Sequence, residues 1–168
     1  MEPLPVDPTK LAELYQQYGY YVHRRCMALL GSSADAEDAL QEVFLRVQRY
    51  GRQEATGSDL GWLYTIAARV CFDLRSKKKP DAVDPNDLPA LDTRGEGASP
   101  DVRGAIGLAL RSMDAKVAEI GVLHHLDGYT QEELEVKLGV SRKTIGKKLQ
   151  LFEALLREVT GKLKGVTT

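Results

Sequence analysis

Residues 141–150, SRKTIGKKLQ, gather side chains able to read and grip a polyanion. Arg142, Lys143, Lys147 and Lys148 supply long cationic donors, and Ser141, Thr144 and Gln150 supply neutral hydrogen-bonding groups. Side chains of these types reach base edges in a major groove, while ammonium groups meet phosphates. Ile145, Leu149, Phe152 and Leu156 recur at steps of four, three and four. That spacing predicts a helix with one apolar stripe, which leaves the donors elsewhere on its surface.

The segment before it completes a pattern. Thr130 and Glu133 form a capping box that starts a short helix, and Leu134 and Leu138 give it an apolar face. Gly139 supplies the left-handed backbone of a tight turn, and Ser141 caps the following helix. Short helix, glycine turn, serine cap and basic second helix together read as a helix-turn-helix. A plain helical hairpin with a solvated charged face is the competing reading. Two residues depart from the usual unit. Glu135 stands where a small residue commonly separates the helices, and Gly146 inside the second helix costs it about 1 kcal/mol relative to alanine.

A second constellation lies upstream. A helix beginning near Asp59 carries Trp62, Tyr64, Arg69 and Arg75 and ends in Lys77, Lys78 and Lys79. Aromatic rings interleaved with bases suit unpaired DNA, because bases stack on rings while lysines hold the backbone. Trp62, Ile66 and Val70, at steps of four, would equally form a core stripe, and terminal lysines also complement a helix C-terminus. Before this helix, residues 34–50 form an amphipathic helix with Ala36, Leu40, Val43, Phe44 and Val47 on one face. Asp35, Glu37, Asp38, Gln41 and Glu42 lie mostly on others. Acids in the first turn suit the helix dipole; the same acids could dock on a basic partner, and spacing alone does not choose between the two.

The elements that must position these groups are all helical. The periodicity over 10–79 and 103–160 is that of helices, and neither period-two alternation nor an Asn-Gly hairpin turn occurs. The chain divides into an arm (1–9), a first helical domain (10–79), a linker (80–102), a second helical domain (103–160) and a tail (161–168). The linker holds Pro80, Pro85, Pro89 and Pro100 and is acidic. The expected fold is therefore all-α, two small helical domains joined by a flexible acidic linker. Its 168 residues allow for two such domains, and a net charge of −1 excludes a uniformly basic nucleic-acid coat protein. The charge is instead local: net +4 over 69–79, net +5 over 137–148 and net −4 over 32–42.

Other classes are excluded by what the sequence lacks. There is no P-loop, no HExxH and no Ser/His/Asp arrangement of recognisable spacing, so no catalytic residues are assigned. Cys26 and Cys71 sit among apolar residues without a CxxC, and the adjacent His124 and His125 point in different directions. No metal and no cofactor is expected. With no apolar run of membrane length and no signal-peptide pattern, a cytoplasmic protein without membrane insertion is the expectation.

Taken together, the two halves resemble the extracytoplasmic-function (ECF) group of the sigma-70 family, the sigma factors of bacterial RNA polymerase. LYQQYGYYVHRRCMALLG (14–31) is similar to the opening helix of conserved region two. DAEDALQEVFLRV (35–47) is similar to its polymerase-binding part, and WLYTIAARVCFDLR (62–75) to the part that melts and reads the minus-ten element. The 103–157 segment is similar to region four, whose helix-turn-helix reads the minus-thirty-five element. Departures are local: Ala68-Arg69 stands where many relatives have Arg-Asn, Arg142–Gly146 where many have Glu-Gly-Thr-Val-Lys, and Met113-Asp114-Ala115 in place of Leu-Pro-Pro.

The resemblance implies a transcription initiation factor rather than an enzyme. Its implied partners are core RNA polymerase, through the beta and beta-prime subunits, promoter DNA, and an anti-sigma factor; the free chain is expected to be a monomer. Asp35, Glu37, Asp38, Gln41 and Glu42 would then bind polymerase. Trp62, Tyr64, Arg69, Arg75, Lys77, Lys78 and Lys79 would serve the minus-ten element. Ser141, Arg142, Lys143, Thr144, Lys147, Lys148 and Gln150 would serve the minus-thirty-five element. Competing readings are a stand-alone helix-turn-helix regulator, and a sigma-like protein that has lost promoter activity.

Overall fold

A computed structural model describes residues 5–52, 58–77 and 100–166. Among them every regular element is a helix. The first half holds α1 (Pro8–Leu30), α2 (Ser33–Tyr50) and α3 (Asp59–Lys77). The second holds α4 (Pro100–Ser112), α5 (Ala115–Gly121), a π-helical turn (Val122–Leu126), α6 (Gln131–Leu138) and α7 (Arg142–Val166).

Local chemistry sets the element ends. Pro8 opens α1, where its missing N–H is no loss, and Gly31 closes it with φ 73°. The Ser32 hydroxyl accepts from the Asp35 amide to cap α2. Asp114 caps α5 by accepting from the amides of Lys116 and Val117. Both halves of the Thr130/Glu133 capping box form, and Gly139 ends α6 with φ 64°. The segment boundaries differ from the sequence expectation at three places. The expected arm (1–9) gives way to helix at Pro8. The last residues of the expected linker begin α4 at Pro100, and the expected tail (161–168) continues α7 to Val166. Proline at N1 explains the first two, because it favours the first helical position as well as it breaks an interior one. The rest of the linker lies outside the described residues.

The first half is a three-helix bundle. Val22, Cys26 and Leu29 of α1, Ala36, Val43 and Val47 of α2, and Leu63, Ala67 and Phe72 of α3 are buried against one another. In the second half, α7 lies along α5, with Phe152 facing Gly121 so closely that a Cβ there would fall 2.1 Å from the ring. Only glycine allows that approach. The buried apolar residues of both halves form one contiguous cluster, so they pack as a single body rather than as two separate cores.

Among the described residues, Glu119 of α5 is an acid buried in the core, 4% exposed. Burial raises its carboxyl pKa above the ordinary 4.5; Lys116, 3.3 Å away, and Arg69 offset part of that. A raised folded-state value means the folded protein holds this proton more tightly than the unfolded chain. Stability is therefore lost as pH rises from the unfolded value through the folded one. We expect Glu119→Gln to raise the melting temperature at neutral pH and to make no difference below about pH 4, where both states of the acid are protonated. Thermal melts at several pH values check this.

Candidate nucleic-acid interface

Along α7, burial splits the helix cleanly. Ile145, Leu149 and Phe152 are buried, and Leu156 packs against the core. Lys143, Lys147 and Gln150 recur at steps of four and three on the opposite side and are exposed. These three form the part of the expected minus-thirty-five set that the fold leaves unused. Ser141 and Thr144 serve the helix start: the Ser141 Oγ accepts from the Thr144 amide at 3.3 Å and lies 3.0 Å from the Thr144 Oγ1. Arg142 is exposed and pairs with Glu132 of α6 at 3.2 Å. Lys148 is half-buried on the flank. No atom lies within 4 Å of a Cβ built on Gly146, so this glycine is not required by packing within the chain.

On α2, the expected acidic set occupies two edges. Glu37, Asp38 and Gln41 are exposed. Asp35 and Glu42, one heptad apart, are half-buried, and Glu42 holds Arg46 at 3.0 Å. Arg46 also reaches Asp73 of α3 at 3.4 Å and so ties the two helices.

The expected minus-ten set divides more sharply. Trp62 and Arg69 are half-buried and line one open cleft of about 260 Å³, together with Arg46 and Tyr50. Tyr129 and Lys137 of the second half line the same cleft. Lys77 is exposed at the end of α3; Lys78 and Lys79 lie outside the described residues. Two members face inward. Tyr64 is 5% exposed, its ring 4.7 Å from the Arg25 guanidinium. Arg75 donates to the carbonyls of Leu110, Arg111 and Met113 at 3.0, 3.1 and 2.8 Å. In this arrangement both are engaged within the chain. For Arg75, a carbonyl-rich helix end holds a guanidinium as a phosphate would.

Sequence reasoning missed Arg25 and Arg111. Arg25 pairs with Asp127 at 2.8 Å across the two halves, and Arg111 donates to the carbonyl of Ala28 at the end of α1. Burial lowers the pKa of Arg75, and Asp114 draws it back; Arg111 falls to about 10, through burial first and then the neighbouring Arg75. Arg111 thus stays cationic at neutral pH. The Cys71 thiol is pushed well up by burial and by its hydrogen bond with Cys26, which leaves little nucleophilic thiolate. Among the described residues, no three His, Cys, Asp or Glu side chains come together as a metal site. His124 instead lies 2.6 Å from the Tyr129 carbonyl, and His125 stands 3.3 Å from Glu153. No described helix is long and apolar enough to cross a membrane.

Comparison with known proteins bears on this geometry directly. Residues 14–80, nearly the span of α1–α3, match the family model for Sigma-70 region 2. The ferric citrate uptake sigma factor FecI of Escherichia coli is 32% identical over 125 residues, which cover 70% of this chain and 72% of FecI. The chain belongs to the RNA polymerase sigma factors of the ECF group. Its ECF relative SigE of Mycolicibacterium smegmatis is 31% identical over 157 residues, 89% of this sigma factor and 61% of SigE, so the chain spans about three-fifths of that relative's length. The solved structure of the sigma factor RpoE in complex with the anti-sigma factor NepR, from Bartonella quintana, has a similar fold. Its TM-score is 0.56 at 16% identity, covering 90% of this sigma factor and 97% of RpoE.

Proposed function

We propose that this sigma factor binds core RNA polymerase, places it on promoters by reading two DNA elements, and promotes strand opening without covalent chemistry of its own. The exposed edge of α2, Glu37, Asp38 and Gln41 with Asp35 and Glu42 beside it, docks on the clamp of the beta-prime subunit. The second half contacts the flap of the beta subunit, and α7 enters the major groove at the minus-thirty-five element. On α3, Trp62, Arg69 and Lys77, with Lys78 and Lys79 following in sequence, hold the non-template strand of the minus-ten element. Extruding a base costs a few kcal/mol, and stacking on a ring returns about 1–3 kcal/mol per base. Strand opening then follows from preferential binding of the open form, with no ATP needed. An anti-sigma factor covering the polymerase-binding faces is part of the same proposal.

The observation that carries the reading is the Lys143, Lys147 and Gln150 face of α7, exposed and unused by the fold, in a chain whose first half matches sigma region 2. The test is reconstitution with core polymerase on genomic DNA and mapping of RNA starts. Expected are starts downstream of one recurrent pair of elements at fixed spacing. Polymerase that ignores the chain, or tight duplex binding by the isolated chain that polymerase does not alter, would overturn the reading in favour of a stand-alone regulator.

A further inference from the structure

The cleft on the seam between the two halves has a lining of one sign. Arg46, Arg69 and Lys137 bring three cations to it, and Tyr50, Trp62 and Tyr129 bring three aromatic rings. Among the described residues, no Asp or Glu lines it. Two of the lining groups are fixed by bonds of their own. Arg46 is held by Glu42 at 3.0 Å and Asp73 at 3.4 Å, and the Tyr129 hydroxyl donates to the Thr65 Oγ1 at 3.4 Å. Arg69 and Lys137 differ. Both are half-buried, and among the described residues neither forms an ion pair. Glu119 is near enough to feel the charge of Arg69 but is bridged by Lys116 instead. The Lys137 ammonium rests 5.0 Å from the centre of the Tyr129 ring.

Half-buried cations gathered without a counter-ion raise the local potential, so an anion entering the cleft gains more than at an open surface. A guanidinium presents a planar fork to phosphate oxygens, and an ammonium adds a point charge. The rings beside them offer apolar surface to a planar base. The volume, about 260 Å³, lies just below the ~300 Å³ at which pockets for small organic ligands begin, so it suits one nucleotide rather than a run of several.

We propose that this cleft is a binding site for a free nucleoside diphosphate, with the base among Tyr50, Trp62 and Tyr129 and the two phosphates on Arg69 and Lys137. The site is built from both halves: Trp62 and Arg69 come from α3, and Lys137 comes from α6. Neither Tyr129 nor Lys137 has a part in the proposed function, and this inference goes beyond it.

The test titrates the full chain, without polymerase or DNA, with ADP, GDP, adenosine and pyrophosphate. Calorimetry reads stoichiometry and affinity, and Trp62, the single tryptophan, reports occupancy through fluorescence quenching. One saturable site for ADP or GDP is expected. Adenosine and pyrophosphate are expected to bind at least about tenfold more weakly, because each carries only half of what the cleft recognises. Lys137→Gln removes one charge-assisted contact and is expected to weaken ADP binding about tenfold or more. Lys10→Gln, the same change of charge at an exposed site on α1, is expected to leave it unaltered. Circular dichroism checks that helix content is kept. Should Lys137→Gln lose it, Arg69→Gln is expected to weaken binding by a similar factor. Absence of saturable binding by either diphosphate overturns the proposal, as does adenosine or pyrophosphate binding as tightly as ADP. So does an unchanged affinity in a folded variant, or capture of a labelled single-stranded 20-mer where neither nucleotide binds. None of these results touches promoter initiation by the polymerase-bound chain, which the reconstitution decides.

Discussion

Truncating Phe72 to alanine is expected to cost about 3–5 kcal/mol, the range for a large buried aromatic whose cavity relaxes only in part. Phe72 is 1% exposed and is among the largest fully buried side chains. It sits on α3 beside Cys71, and the Arg75 guanidinium lies 5.4 Å from its ring, so the loss reaches both the first bundle and the seam. Domains of this kind have a total stability of about 5–15 kcal/mol. At this chain length the loss corresponds to a melting temperature lower by roughly 10 °C. Chemical denaturation measures it directly. A cost under about 1 kcal/mol would mean that α3 is not held in the core as described.

The second large effect concerns DNA. Replacing Lys143 and Lys147 together by glutamine is expected to weaken promoter binding by the polymerase complex. Each phosphate contact contributes about 0.9 to the slope of log affinity against log salt. Two fewer contacts lower that slope by about 1.8, which amounts to roughly 30-fold weaker binding at about 0.15 M salt, with the difference vanishing towards about 1 M. Both side chains are exposed and face away from Ile145, Leu149 and Phe152, so the fold should not change. Binding isotherms at several salt concentrations check this. An unaltered slope would remove α7 from the phosphate backbone. A change confined to particular sequences would mean that these lysines read bases instead.

What the sequence disclosed was whatever is encoded within a few residues. The Thr130/Glu133 box, the Gly139 turn, the Ser141 cap and the stripe through Ile145, Leu149 and Phe152 are all local signals, and all are found in the structure. The acids of α2 were legible as a set but not in their division into an exposed edge and a half-buried one, because Glu42 is drawn aside by Arg46 one turn later. The contacts of Tyr64 and Arg75 within the chain were not legible, for a physical reason. Aromatic and basic residues at helical spacing suit a nucleic-acid face and a packed seam alike, and only the arrival of α4 decides between them. Arg25 gave no signal at all. Its partner lies 102 residues away, and no periodicity records a pairing at that range.

The chain has a single tryptophan, Trp62, and it stands in the cleft to which both halves contribute. The Arg52 guanidinium lies 5.6 Å from its ring, and Tyr129 and Lys137 of the second half line the same cleft. Any separation of the two halves would expose the indole further, so its emission should move to longer wavelength and become more accessible to a collisional quencher such as iodide. The protein thus contains its own optical gauge of separation, one that needs no dye.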